Sequence, residues 1–291
     1  MKKISIILVI SILFVSMFSM SAFAAEPATK TDAFFSTVYD TKGITLVGLN
    51  TSGAPGFSVP EMSARVTTDE NGKSYMEMVG SAKFAFFKLD LFALKDGLYM
   101  YFPQFNRHMD YSFIYKDMTD ELVSDFTAKT IDLFLPIAYV EYLTLESAGE
   151  EHIENYGTAY VERFSYNKDA LINDLVRKGL IPNPKYYNVN IYDENEIIEF
   201  VYNYAQDDTA YKYAKFLSED FMTFAYNEND DLVYCNYYVT EGDSVRNVVY
   251  DYSLFECIKA GADNNKFVLP ESSLGLEIFE LLAKLVYSMF S

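Results

Sequence analysis

The sequence predicts an α+β protein, an antiparallel sheet with helices on one face, built as one domain. Three observations carry this reading. Hairpin-linked strand patterns follow one another through residues 62–115. Helical periodicities gather at residues 119–134 and 168–217 instead of alternating with strands. The last pattern, residues 273–290, has an apolar arc wide enough to dock deeply against a sheet. No Pro/Gly/Ser-rich linker divides the chain, and no repeat of fixed period appears in it.

Taken in order, the first 24 residues read as an export signal. Lys2 and Lys3 precede an apolar run at 4–17, and Ala22-Phe23-Ala24 is a small-x-small cleavage site. The run is too short for a membrane anchor. No cysteine occurs before Cys235, which leaves no lipid attachment point at the mature N-terminus. The expected product is a secreted or extracytoplasmic protein beginning at Ala25.

Residues 29–39 suit a short helix and 44–50 a strand. Segments 62–69 and 73–79 flank Asn71-Gly72, a hairpin signal whose two-residue type I′ turn would set Glu70 opposite Lys73. The next hairpin, within KFAFFKLDLFALKDGLYMYFPQFNRHMDYSFIY (83–115), is the most informative stretch. Leu94-Lys95-Asp96-Gly97-Leu98 reads as a three-residue loop, with Gly97 as the left-handed residue of a G1 bulge. Setting Leu94 opposite Leu98 gathers Phe92, Leu94, Leu98, Met100 and Phe102 on one face. The other face then carries Phe87, Leu89, Leu91, Tyr99 and Tyr101. An ordinary half-buried hairpin alternates apolar and polar residues; here both faces are apolar and both demand cover.

Beyond the helix at 119–134, strands are expected at 137–145 and 158–166. Asn167 caps a helix that turns Leu171, Ile172, Leu175 and Val176 inward and stops at Gly179 and Pro182. Asp193-Glu194-Asn195-Glu196 has the form of a capping box, and a further helix is expected at 210–217. A hairpin of 221–226 and 232–240, a strand at 245–257, a short strand at 266–269 and the final helix complete the chain. With the turn near 241–244, Cys235 faces about Tyr250, so a disulfide to Cys257 requires another strand order.

The segments KDGLYMYFPQFNRHMDY, GTAYVERFSYN and FMTFAYNENDDLVYCNYY, with FVLPE after them, resemble LolA/LppX-like exported proteins, closest to those of Gram-positive bacteria. The resemblance covers roughly residues 44–114, 157–166 and 220–270. It implies a strongly curved antiparallel sheet, an unclosed barrel, with helices packed on its concave face around an apolar cavity that holds lipid or acyl chains. It implies no catalytic residues. The chain departs from the family's carriers in lacking a lipidated cysteine, in its acidity and in the larger helical insert at about 168–217.

Charge narrows the partners. Against 42 Asp and Glu stand 23 Lys and Arg, a formal net charge of −19, and cleavage of the signal removes two of the lysines. Such a chain is unsuited to nucleic acid or to anionic lipid surfaces. The 25 Tyr and 24 Phe, with no Trp, carry much of the apolar area. Chemistry is sparsely provided for. His108 and His152, the two histidines, read as surface residues, and no G-x-S-x-G, H-E-x-x-H or phosphate loop is present. The oxygen-rich stretches 69–72 and 227–231 lack EF-hand spacing and read as turns. No cofactor or metal is implied.

The functional expectation is a noncatalytic exported protein that binds an apolar ligand, such as a lipid or acyl chain, between sheet and helices. Phe92, Leu94, Met100 and Phe102 would line the site. The alternative is a secreted or cell-surface interaction module with a solid core and an exposed apolar or tyrosine-rich patch. A carboxylate-using hydrolase stands third, with no pair of acids singled out.

Overall fold

A computed structural model describes residues 29–49, 57–72, 74–84, 87–112, 132–205, 217, 221–241, 244–253 and 255–271. The export signal, most of the helix expected at 119–134, nearly all of that at 210–217, and the final helix lie outside the described residues. The fold is α+β, with a large antiparallel sheet that does not close. Contacts divide the chain into two compact units. One comprises residues 1–134, 229–233 and 251–291; the other comprises residues 135–228 and 234–250.

The first unit opens with helix α1, Lys30–Thr41, capped by the Thr29 hydroxyl on the Asp32 N–H at 3.0 Å. Its apolar side chains Phe34, Phe35 and Val38 are buried. Strands β1 (Gly43–Leu49), β2 (Phe57–Thr68), β3 (Ser74–Phe84), β4 (Phe87–Leu94), β5 (Gly97–Phe102) and β6 (Arg107–Asp110) then form an antiparallel meander. Strand β12, Phe255–Ala260, returns to pair with β1, and α1 packs on that pair.

In the second unit a 3-10 turn at Val140–Tyr142 leads into β7 (Leu143–Ile153) and β8 (Gly157–Tyr166). Helix α2 (Lys168–Arg177), a 3-10 turn at Pro184–Tyr187 and helix α3 (Glu194–Tyr204) form the insert. Strand β9 (Met222–Tyr226) pairs with β8, and β10 (Leu232–Glu241) pairs with β11 (Ser244–Tyr250). The first residues of β10 belong to the other unit, where Leu232 pairs with Ile258. The core of the second unit is aromatic. Phe224 meets Phe164 edge-on at 5.9 Å and Tyr237 at 5.3 Å, and the buried Tyr166 hydroxyl donates to the Ala138 carbonyl at 2.7 Å.

Capping chemistry fixes the insert helices where the sequence places them. The Asn167 side chain accepts from the Ala170 N–H at 3.0 Å. At the other end Gly179, at φ 71°, closes a Schellman motif: Leu180 N–H donates to Leu175 O and Gly179 N–H to Val176 O. Asp193 caps α3 through the Glu196 N–H at 3.1 Å. The Glu196 carboxylate reaches the Asn190 N–H and not that of Asp193, so the box is only half of one.

Several boundaries differ from expectation. The strand expected at 137–145 begins at Leu143, because the chain first makes the 3-10 turn. Residues 245–257 hold two strands, broken where the Asp251 carboxylate turns the chain by accepting the Ser253 N–H at 2.8 Å. The short strand expected at 266–269 is a 3-10 turn, Asn264–Phe267, capped by Asp263. Cys235 does face Tyr250, and both cysteines are buried and not joined in a disulfide. Burial, then the Asp231 carboxylate beside it, pushes the Cys257 thiol up to about 11, far from the thiolate that disulfide chemistry needs.

The two turns of the β2–β5 meander exchange the expected types. At 69–72 the Gly72 N–H donates to Asp69 O at 3.0 Å, the Asp69 carboxylate accepts from Asn71 N–H, and Gly72 sits at φ 78°. Among the described residues the last strand pair there is Thr68 with Ser74, which is not the register of the expected two-residue turn. At 95–96 the turn is the two-residue one, since Leu94 pairs with Gly97. Gly97 is not left-handed. It is needed for space: an added Cβ would lie 2.0 Å from Ser112 Oγ, which accepts the Leu98 N–H at 3.2 Å. Gly97→Ala is expected to turn that hydroxyl away and lower stability by about 1–3 kcal/mol, the cost of an unpaired donor. Gly149→Ala, where a Cβ meets nothing within 4 Å, should stay within ~0.5 kcal/mol of the parent. Paired denaturant titrations check both.

Candidate functional site

Register decides which side chains share a face, because one residue of slip moves every side chain of a strand to the other side. The observed pairs are Leu91 with Met100, Phe92 with Tyr99 and Ala93 with Leu98. The expected grouping of Phe92 and Leu94 with Met100 and Phe102 therefore does not occur. Phe92 and Leu94 lie on one face with Tyr99 and Tyr101; Met100 and Phe102 lie on the other with Leu89, Leu91 and Leu98. The physical reason is the turn: two residues close it instead of three.

The face bearing Phe92 and Leu94 is mixed, with Val79, Tyr99 and Tyr101 beside polar residues. Neighbouring strands contribute Ser63, Arg65, Glu77 and Ser81 to it. Phe92 and Leu94 are buried because Phe267, on the turn after β12, packs over them, with Val79, Tyr99 and Tyr101 at the margin. A charged pair seals this small core. Arg65 Nε donates to Glu77 Oε2 at 2.9 Å, its Nη1 to Asn264 Oδ1 at 2.9 Å, and its guanidinium lies 4.2 Å from the Phe267 ring centroid. The other Glu77 oxygen accepts the Lys95 N–H at 3.1 Å. Burial, then the Asp96 carboxylate, raises the pKa of the adjacent Tyr99 hydroxyl.

The opposite face is apolar from β12 to β6. Ile258, Leu46 and Met62 stand in one cross-strand row, Ile44, Ala64 and Met78 in the next. Beyond them Val66 opposes Met76, Gly80 opposes Leu91, and Met100 opposes Met109. Ile44, Leu46, Ala64, Val66 and Ile258 are buried. Over β3–β5 burial is uneven: Met62, Met76, Met78, Met100 and Phe102 are half-buried and Leu91 is 37% exposed, while Leu98 and Met109 are buried. Five of the chain's 11 methionines share this face. Met62, Met76 and Met78 were not singled out from the sequence, and Leu91 was expected on the face opposite Met100. The signal was present in the alternation Met76-x-Met78-x-Gly80-x-Ala82, which needed the turn register to be assigned to a side.

Chemistry on either face is limited. His152 is exposed; His108, expected at the surface, is half-buried with its ring edge-on to Tyr99 at 6.4 Å. Among the described residues no three His, Cys, Asp or Glu side chains converge to hold a metal ion.

The Arg65–Glu77 pair carries more weight than its surface counterparts. Glu77→Ala strands a largely buried guanidinium and the Lys95 N–H. A loss of about 3 kcal/mol is expected, the low end for breaking a buried pair because Arg65 keeps some solvent. Glu61→Ala, which breaks the exposed pair with Lys266, should cost under ~1 kcal/mol. Thermal melts of the two variants distinguish these. No family model matches the chain, and no curated protein matches its sequence.

Proposed function

We propose that this is an exported, noncatalytic protein that binds an apolar ligand, a lipid or another molecule with an acyl chain. The ligand lies against the apolar face of β2–β5, between a strongly curved sheet and helices on its concave side. One observation carries the reading: a continuous apolar sheet face on which Leu91, Met62, Met78 and Met100 are left half-buried or exposed. Folding alone gains most by burying such a face completely. Methionine suits it to a flexible guest, since its unbranched, polarisable side chain repacks around irregular shapes. The energetics are sufficient, as each buried methylene contributes about 0.8 kcal/mol, so ten methylenes offset the several kcal/mol that association costs. The resemblance to LolA/LppX-like proteins points the same way. Of the residues expected to line the site, Met100 and Phe102 belong to this face; Phe92 and Leu94 belong to the opposite one and serve its sealed core.

The test is mass spectrometry of an organic extract of the exported chain, purified without detergent from the host that makes it. A stoichiometric apolar molecule is expected. It should disappear in Leu91→Asp, which charges the apolar face, and persist in Lys88→Ala on the other face of the same strand. A folded protein that carries nothing and takes up no added fatty acid would contradict the proposal.

A further inference from the structure

Two turns of the meander place glycine after a side chain that can cyclise onto it: Asn71-Gly72 between β2 and β3, and Asp96-Gly97 between β4 and β5. In such a pair the glycine nitrogen can reach the carbonyl carbon of the preceding side chain, because no Cβ hinders it. The fold treats the two turns differently. Gly97 is buried against Ser112, and a Cβ there would lie 2.0 Å from the Ser112 Oγ. Asn71 and Gly72 are both exposed, and a Cβ at Gly72 would meet nothing within 4 Å among the described residues. Two bonds hold this turn. The Gly72 N–H donates to Asp69 O at 3.0 Å, and the Asn71 N–H donates to Asp69 Oδ1 at 2.9 Å. Both lie at an exposed hairpin tip, where backbone hydrogen bonds open at little cost, and neither engages the Asn71 side-chain amide.

From this contrast we infer that Asn71 is a site of spontaneous deamidation in the folded protein, while the fold holds Asp96 inert. The Gly72 nitrogen, its proton taken by hydroxide, attacks Asn71 Cγ. The bond from Cγ to the side-chain nitrogen breaks, ammonia leaves, and a succinimide ring remains. Water then opens that ring at either carbonyl. One opening leaves aspartate; the other leaves isoaspartate, with the main chain rerouted through Cγ. The sum is amide hydrolysis, with one water consumed and one ammonia released, and it needs no cofactor. In a chain whose acids outnumber its bases, 42 to 23, either product sets a further carboxylate beside Asp69 and Glu70, where like charges repel. Isoaspartate also lengthens the main chain by one carbon, which displaces the Gly72 N–H from Asp69 O. The hairpin end closed by Thr68 and Ser74 then loosens, in a change that runs one way and accumulates with time.

This chemistry is independent of any ligand on the sheet face, so either proposal stands if the other fails. The test is peptide mapping by mass spectrometry of the folded chain, kept in mildly alkaline buffer and sampled over time. Asn71 is expected to convert before any other asparagine, with isoaspartate as the larger product, and conversion should slow in mildly acidic buffer. Gly72→Ala, whose methyl group hinders the nitrogen, should slow it severalfold. Alanine is strained at φ 78°, so Asn71→Gln serves as a second variant; its longer side chain closes a ring poorly, and conversion at position 71 should be lost. Asp96 should yield isoaspartate only after the chain is unfolded in guanidinium. An Asn71 that stays intact while other asparagines convert, or that converts only in guanidinium, would overturn the inference. So would an equal rate in Gly72→Ala, or isoaspartate at Asp96 in the folded chain.

Discussion

The hydrogen bond from the Lys95 N–H to the Glu77 carboxylate is the constraint on which the first unit turns. One carboxylate ties the turn after β4 to the middle of β3, while Arg65 on β2 holds the same group from the other side. Two strands and a turn are pinned at one buried charge. With Lys95 fixed, Leu94 pairs with Gly97, and the alternation of the whole meander follows. One face becomes apolar from Leu46 to Met100, and the other is mixed, with its apolar patch beneath Phe267. The apparent doubling of apolar character in the β4–β5 hairpin thereby resolves into two different burials.

Much of the fold was legible in local chemistry. Asn167, Gly179 and Asp193 announce their helix ends because caps act within a few residues. The strands of the meander are legible because alternation of Met and Ala with polar residues has period two. The turn types were not. Asn71-Gly72 favours a type I′ turn and Asp96-Gly97 a left-handed glycine, yet each is overridden. Asp69 captures both Asn71 and Gly72, and Ser112 fills the space where a side chain at position 97 would stand. Ser112 and Glu77 are 15 and 20 residues from Gly97 in sequence, which no turn propensity contains. The candidate site inherited that error, since its four residues were chosen by face. The pairing of Arg65 with Glu77 was legible in principle, as the two are equidistant from the Thr68–Ser74 pair.

The chain uses its many aromatic residues in two ways. In the second unit Phe164, Phe224 and Tyr237 meet edge-on or tilted in a buried core, where the Tyr166 hydroxyl finds the Ala138 carbonyl and burial raises its pKa. On the insert the same ring chemistry faces outward, with Phe200 as the buried anchor and Tyr187 and Tyr204 as the exposed surface. A tyrosine is amphipathic, so it serves both places without the solubility cost of an exposed phenylalanine. The cysteines follow a simpler rule. Both are buried, and Cys257 is held protonated beside Asp231, which keeps that thiol out of exchange.

The face assignment rests on register, and register is measurable directly. Residues opposite one another in an antiparallel pair have Cα atoms about 4.5–5.5 Å apart, within the reach of a disulfide. The paired substitutions Leu91→Cys with Met100→Cys should close under mild oxidation, seen as a loss of two hydrogens by mass spectrometry, while Cys235 and Cys257 stay reduced. Phe92→Cys with Met100→Cys should remain open. Closure of the second pair and not the first would put Phe92 and Met100 on one face and contradict the account.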